Sequence, residues 1–333
     1  MKVLITGGAG YIGSTIASCC ADNGIDVVIL DDLSRGLRAF GERFDFYEGD
    51  IADEALLERL LTDHPDIEAV IHCAAKIVVP ESVAEPIMYY DNNVAKPMVL
   101  LNKLHEHGVG KFILSSTASM YAPDADFMVD ETSALEPNSP YSASKFMLER
   151  VLADYANTGA MQMLALRYFN PIGADPQLRT GLQDPHPTHV LGKMIEALHS
   201  GQTFTVTGVD WPTRDGSGLR DYIHVWDLAR AHVAALHHFD RVMAQATKPN
   251  YDVINLGTGL GTTVFEFVAG FNEAMGVELD VATAPPRPGD VPGCATRTAK
   301  ANELLEWETE LSIAQGVRDS VAWSEKLPAL LED

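Results

Sequence analysis

Tyr141 and Lys145 stand four residues apart in Pro140-Tyr141-Ser142-Ala143-Ser144-Lys145. On a helix that spacing places both side chains on one side, one turn apart. A free phenol is a poor base at neutral pH, since its unperturbed pKa is about 10. A neighbouring ammonium favours the phenolate and lowers that pKa. The pair is therefore a candidate general base for a substrate hydroxyl, with Lys145 as the tuning partner of Tyr141. The bland alternative is a tyrosine tip beside a surface lysine. The elements around the pair separate the two readings.

The N-terminal residues describe a scaffold for such a base. Lys2-Val3-Leu4-Ile5-Thr6 is a short apolar run, suited to a buried parallel strand. Gly7, Gly10 and Gly13 follow at the spacing G-x-x-G-x-x-G, with Tyr11 and Ile12 between the last two. Ile12, Ile16, Ala17 and Cys20 then form a helical apolar stripe that ends at Asn23-Gly24. A second strand over 26–30 runs into Asp31-Asp32. Strand, glycine turn, helix, strand and acidic residue together predict a dinucleotide site: glycines admit a pyrophosphate, and free N–H groups at the helix start face it. Asp31 suits the ribose hydroxyls and would repel a 2′-phosphate, which favours NAD over NADP; Arg35, near Ser34 and Gly36 in the next loop, is a counter-signal.

Further strands are predicted over 44–48, 69–72, 111–114 and 161–167. Asp50, with Ile51 beside it, could accept from adenine or cap the helix that starts near Asp53. Small residues Cys73, Ala74 and Ala75 would let a cofactor lie across a strand end, while His72 reads as a satisfied core histidine. Residues 80–107 read mainly as one helix, interrupted or entered near Pro86. Asn92-Asn93 inside it is unusual, and either reaches a buried polar ligand or marks a capped break. Ser115, Ser116 and Thr117 follow the fifth strand, at the carboxyl end where hydroxyls point at the ligand crevice of such folds. The loop 130–140 delivers Tyr141 to a helix running to about Asn157.

The chain has 333 residues, 46% apolar and 21% charged, which suits two globular domains. Its formal net charge of -23 argues against nucleic acid or an anionic membrane as a partner. An anionic ligand must then meet a local cluster of cations. Cys19, Cys20, Cys73 and Cys294 show no metal-ligand spacing, so no metal is expected and reduced thiols in the cytoplasm are. No signal peptide or spanning segment is evident.

These motifs continue in Tyr-Tyr-Asp-Asn-Asn-Val at 89–94, Arg-Tyr-Phe-Asn-Pro-Ile-Gly-Ala at 167–174 and Gly-Leu-Arg-Asp-Tyr-Ile-His-Val at 218–225. Asn-Leu-Gly-Thr-Gly at 255–259 and Arg-Pro-Gly-Asp at 287–290 complete the set. With them the chain resembles, over essentially its whole length, the extended short-chain dehydrogenase/reductase family, and within it the UDP-glucose 4-epimerases. The resemblance implies an α/β fold: a Rossmann-type doubly wound parallel sheet with a smaller C-terminal substrate domain. It implies a division into 1–166, with 219–256 returning to it, and 167–218 with 257–333.

The resemblance also implies roles. Thr117, Tyr141 and Lys145 look like the catalytic triad. Asn92 and Phe169 fall on positions that contact NAD, and the glycine turn, residues 31–36, 50–51 and 73–75 on others. Asn170, His189, Thr205, Thr207 and Arg220 fall on positions that bind the UDP portion, as do Arg287 and Asp290. Two arginines distant in sequence, Arg220 and Arg287, could converge on a diphosphate. The implied chemistry is hydride transfer without net oxidation: Tyr141 takes the 4-hydroxyl proton, NAD takes the hydride, and a 4-keto sugar turns over before both return. A homodimer is implied, pairing helices 81–107 and 141–157.

Departures from the pattern sharpen the reading. Cys294 stands where many relatives carry a bulky aromatic, which would leave room for an N-acetyl group; the alternative is a buried cysteine packing as a small hydrophobe. Ile77 takes the place of a cofactor-contacting lysine, with Lys76 one position before it. Thr207 replaces an aromatic near the uracil, and Arg297 a commonly acidic residue. A 4,6-dehydratase would need an acid pair after Thr117, where Ala118 and Ser119 stand. UDP-glucuronate or a UDP-pentose remains an alternative substrate. A non-catalytic NAD-sensing regulator would have shed Tyr141 or Lys145.

Overall fold

The structure, a computed structural model, describes residues 1–185, 187–286 and 291–331. Within them seven parallel strands form the main sheet. Their spatial order is Tyr251–Leu256, Gln162–Tyr168, Lys111–Thr117, Ile67–His72, Lys2–Thr6, Asp26–Asp31 and Asp45–Glu48. The chain winds outward from Lys2–Thr6 in one direction, then returns to its other side through Ile67–His72. That reversal opens a crevice at the strands' carboxyl ends, the place where such sheets bind ligands. The glycine turn and the Thr117 loop both leave the sheet on that edge.

Valine, isoleucine and leucine fill the central strands because both sheet faces are covered. One face buries Ile16, Leu228, Leu236 and Trp307 against Val3, Ile5 and Ile254. The other buries Leu57, Leu101, Leu148 and Leu152 against Leu4, Phe112 and Met163. The helix Val225–His237 packs on Tyr11–Asp22, so the chain comes back to the large sheet after its excursion. Leu219–His224, however, lies between Asn170–Ile172 and Gly261–Thr263 in a separate three-stranded sheet. A third core, with Met194, Phe204, Phe267 and Phe271, holds that smaller unit together. No helix among the described residues is long and apolar enough to cross a membrane.

The expected helix over 80–107 is instead four pieces. Val79–Ala84 and Pro86–Tyr90 are α-helical, Asp91–Ala95 is a single π-helical turn, and Lys96–Glu106 resumes the α-helix. Pro97 explains the π turn. It has no N–H to give Asn93, and its ring would strike that carbonyl, so the ladder slips by one residue. The slip turns Asn93 inward, where it is buried.

The helix Pro140–Ala156 starts cleanly because Ser139 and Ser142 cap each other and Pro140 takes the first helical position. Two turns along, Glu149 is buried against Arg167 of the neighbouring strand, through bonds of 3.0 and 2.5 Å. Ser116 donates to the same carboxylate, and Arg167 donates to the Tyr121 hydroxyl at 2.8 Å. Tyr121 in turn donates to Asn255 at 2.7 Å. Removing one partner of such a pair strands a charge in the core. Glu149→Ala is therefore expected to cost about 3–5 kcal/mol, read as a lower urea midpoint. Glu149→Leu with Arg167→Met should lose far less; equal loss in both would refute the account.

Candidate active site

Gly7 adopts φ 71°, and a Cβ there would lie 2.5 Å from the Ala74 nitrogen. A Cβ on Gly13 would lie 2.2 Å from the Gly7 carbonyl oxygen. Those two glycines are required by packing alone. Gly10 differs: a Cβ there would meet nothing closer than the Gly7 oxygen at 3.4 Å. Gly10 caps the helix Tyr11–Asp22, whose own ladder begins with Ser14 donating to Gly10. The amides of Tyr11, Ile12 and Gly13 thus precede that ladder and face outward, with no acidic side chain in the first turn. This open, positively polarised turn fits a dinucleotide pyrophosphate.

Asp31 is buried at the end of its strand and accepts from the Ala9 and Leu33 amides, both at 2.9 Å. Burial pushes its carboxyl up and those amides hold it down. Asp32 binds Ser34 instead, and Gly36 closes against the Asp31 carboxylate. Arg35 lies 3.6 Å from Glu81, so its charge has a partner within the chain. Asp53 is the helix cap, through bonds to Ala55 and Leu56. Asp50 does not cap; it accepts from Ala52 and pairs with Lys96, while Ile51 is buried below it. Asn93, not Asn92, grips the backbone: it accepts from the Lys76 amide at 2.9 Å and donates to the Lys76 carbonyl at 3.0 Å. Asn92 bonds to Asn93. This clamp positions the segment from Cys73 and Ala75 to Ile77, whose side chain lines the ligand cleft.

The Tyr141–Lys145 expectation needs correction. Lys145 is buried and Tyr141 half-buried; burial pushes the Tyr141 phenol above its usual value, and Thr117, not Lys145, opposes the rise. Lys145 donates to the Ser115 carbonyl at 2.8 Å, and burial pushes its ammonium down to about 8. Desolvation has outweighed the attraction that the spacing suggested. Ser115 is the hub of this region. His232 places Nδ1 2.8 Å from the Leu228 carbonyl, so that nitrogen carries the proton and Nε2 accepts from Ser115 at 2.9 Å. The Cys73 thiol lies 3.3 Å from the Ser115 hydroxyl, and burial pushes it up to about 11. His72 is neutral, pushed down to about 3 by burial, yet only Nδ1 is bonded, to Thr6. Its Nε2 has no partner among the described residues, so it is not the fully satisfied histidine expected.

Thr117 pairs in register with Tyr168, and the chain then passes through Phe169 to Asn170. Phe169 packs with Ala118, Tyr121 and Cys294 beside the Thr117 loop. Asn170 opens onto a cleft of about 650 Å³. His189, Thr205, Thr207 and Arg220 line the same cleft, as do Tyr11 and Ile12. His189 caps the helix Val190–Ser200 by accepting from Gly192, and burial pushes it down to about 4. Arg220 donates to the Leu219 and Pro292 carbonyls at 2.7 and 2.8 Å, which fixes its guanidinium at the rim. Arg287 and Asp290 lie outside the described residues. Trp211 and Tyr222 also line the cleft, and sequence reasoning missed both. An aromatic three positions before Arg-Asp-Gly and another within Arg-Asp-Tyr-Ile-His were the available signals.

Residues 3–257 match the family described as NAD dependent epimerase/dehydratase. The chain belongs to that family. It is 39% identical to a UDP-glucose 4-epimerase of Azospirillum brasilense, across 98% of this chain and 92% of that protein. The crystal structure of a UDP-glucose 4-epimerase from Stenotrophomonas maltophila, with bound NAD and formylated UDP-arabinopyranose, superposes with a TM-score of 0.92. That match has 34% identity and covers 99% of each chain. A UDP-Glc/GlcNAc 4-epimerase from Campylobacter jejuni superposes with a TM-score of 0.81 at 33% identity, over 98% of this chain and 99% of that one. The fold is that of the epimerases, and NAD is the family's cofactor.

The glycine geometry separates packing from ligand contact. Gly10→Ala is expected to fold with an unchanged melting temperature and to lose most co-purifying NAD, measured by absorbance after denaturation. Gly13→Ala should fail to fold. Full cofactor retention in Gly10→Ala would exclude a pyrophosphate at this turn.

Proposed function

We propose that the chain is an NAD-dependent 4-epimerase that interconverts UDP-glucose and UDP-galactose through a 4-keto sugar. The observation that carries this reading is the sheet's carboxyl edge: a glycine turn open for a dinucleotide, Thr117 at a strand end, Tyr141 in the first turn of the helix Pro140–Ala156, and a cleft sized for a nucleotide sugar that Tyr11 and Ile12 of the turn also line. When bound at the glycine turn, NAD supplies the hydride acceptor and donor for the sugar's carbon 4. The residues of this chain handle the proton. Tyr141 accepts it from the 4-hydroxyl as phenolate and returns it to the other face of the turned sugar. Thr117 opposes the rise that burial causes in the phenol, which favours the basic form. Lys145 holds the Ser115 carbonyl and keeps the strand end against the helix. Asn170, His189 and Arg220 line the cleft and grip the UDP, while the apolar cluster of Phe169, Ala118 and Cys294 beside the Thr117 loop faces the hexose only loosely in this reading.

Cys294 is half-buried with its thiol pushed up to about 11, mainly by burial, so it acts as a small neutral wall residue. Its size extends the proposal to UDP-N-acetylglucosamine and UDP-N-acetylgalactosamine, in keeping with the Campylobacter relative. The UDP-pentose in the Stenotrophomonas structure keeps a UDP-pentose as the second reading.

Purified protein without added cofactor should convert UDP-galactose, with the products resolved by chromatography. Conversion of UDP-N-acetylgalactosamine as well would support the open wall, and its refusal would sink that extension. Tyr141→Phe should fold, keep NAD and lose about 10²-fold or more in kcat. Thr117→Val should shift the rise of kcat/KM to higher pH, since it removes the one contact that holds the phenol down. An unchanged profile would exclude the assigned role.

We also propose a homodimer. Val83 and Ile87 are 64% and 77% exposed, and Met98, Phe146 and Met147 are exposed on adjoining helices. A patch of this kind on neighbouring helices fits a second copy of itself. Sedimentation at twice the subunit mass is expected, and Met147→Glu should shift it toward the monomer. A monomeric wild type would overturn the assignment.

A further inference from the structure

Arg297 lies beside a surface strap that borders the Thr117 loop. It directly follows the two-residue strand Ala295–Thr296, which pairs in parallel with Met128–Val129. The Ala295 amide donates to Phe127 at 2.9 Å and the Arg297 amide to Val129 at 2.8 Å. Met128–Val129 belongs to a strap, residues 122–135, that leaves the Thr117 loop and returns to it through the Tyr121–Leu135 bridge and the Ala122 to Ala134 bond. Cys294, just before the short strand, packs with Val129 of the strap and with Ala118, Tyr121 and Phe169. The strap thus adds a backbone link between the Thr117 loop and the segment that carries Cys294, and its ladder is very short.

Side-chain charge supplements that ladder. The Arg297 guanidinium lies 3.0 Å from Asp126 and 3.9 Å from both Asp124 and Asp130, all three on the strap. Asp130 is held low mainly by Thr132, whose hydroxyl and amide it accepts, with Arg297 contributing. Three carboxylates crowded on one loop, in a chain of net charge -23, repel one another unless a cation stands among them.

We propose that Arg297 is an electrostatic latch. It holds strap 122–135 against Ala295–Thr296 and so fixes Cys294 against the Thr117 loop. It is a positioning residue and touches no reacting atom. The proposal rests on the epimerase reading for its kinetic signature, but not for its structural one. Arg297 and its partners are all at least one-third exposed, so the latch is modest and screened by salt.

The test compares Arg297→Glu, Arg297→Lys and the charge swap Arg297→Asp with Asp126→Arg. At low ionic strength Arg297→Glu should raise KM for UDP-galactose by roughly threefold to tenfold. Its kcat should stay within about twofold and its NAD content should not change. At 1 M salt, where charges are screened beyond about 3 Å, the KM gap to wild type should close. Arg297→Lys and the charge swap should recover most of the wild-type KM. Hydrogen exchange gives a readout free of turnover: the Ala295 and Arg297 amides should exchange faster in Arg297→Glu at low salt, and at the wild-type rate in 1 M salt. A wild type inactive on UDP-galactose would sink the epimerase reading and leave the exchange result to decide the latch. Unaltered exchange in Arg297→Glu overturns the latch, as does a KM defect that salt does not shrink.

Discussion

The buried ion pair between Glu149 and Arg167 is the constraint on which the rest of the site depends. Taking two charges out of water is costly, and their attraction offsets the cost only if every remaining donor and acceptor is matched. Here they are matched, by Ser116, Tyr121 and Tyr251, with Asn255 completing the chain. That demand leaves little freedom. A small rotation of the helix Pro140–Ala156 would leave a charged group bare in the core. The pair therefore fixes the helix that carries Tyr141 and Lys145 from a point one turn beyond Lys145. Asn255 extends the network to Thr296 at 3.1 Å, so the same chain of bonds reaches the strand beside Cys294.

Around Tyr141 the surroundings favour neutral forms. The phenol is pushed up and the lysine ammonium down, both by desolvation. His72 and His232 are neutral for the same reason. A low-dielectric wall of this kind makes each remaining hydrogen bond to a developing charge count for more. The Thr117 contact is the favourable term for the phenolate among the protein groups, and it comes from the strand end, not from the helix partner. The cleft opened by Asn170 is built differently, with a histidine cap, a guanidinium and backbone amides. Strong polar grip at one end and a bland apolar wall at the other suit a ligand whose nucleotide stays fixed while its sugar turns.

Much of this was legible in the sequence because it rests on local pattern. The apolar run Lys2–Thr6, the glycine spacing and the acid at Asp31 each follow from a short window, and the parallel sheet follows from them. The hydroxyls at Ser115 to Thr117 were readable from their place at a strand end. What escaped depends on contacts distant in sequence. Nothing near Glu149 names Arg167, eighteen positions on, as its partner. Spacing placed Lys145 beside Tyr141 but could not show that its ammonium would donate to the Ser115 carbonyl, or that burial would push it down. The π turn was foreshadowed by two asparagines and a proline, yet which amide would clamp Lys76 was decided by the slip that Pro97 forces. Trp211 and Tyr222 reach the cleft only through tertiary folding.

Tyr11 has a further significance. It sits in the first turn after the glycines, lines the cleft, and donates its hydroxyl to the Gly173 carbonyl at 2.7 Å, just beyond the Asn170–Ile172 strand. One side chain thereby joins the dinucleotide turn to the floor of the nucleotide-sugar cleft. Any ligand that prefers one placement of that ring at the first site changes the affinity at the second, and thermodynamic reciprocity makes the effect equal in both directions. For such a ligand the two sites would be coupled, and the binding isotherm of each would carry the occupancy of the other as a parameter.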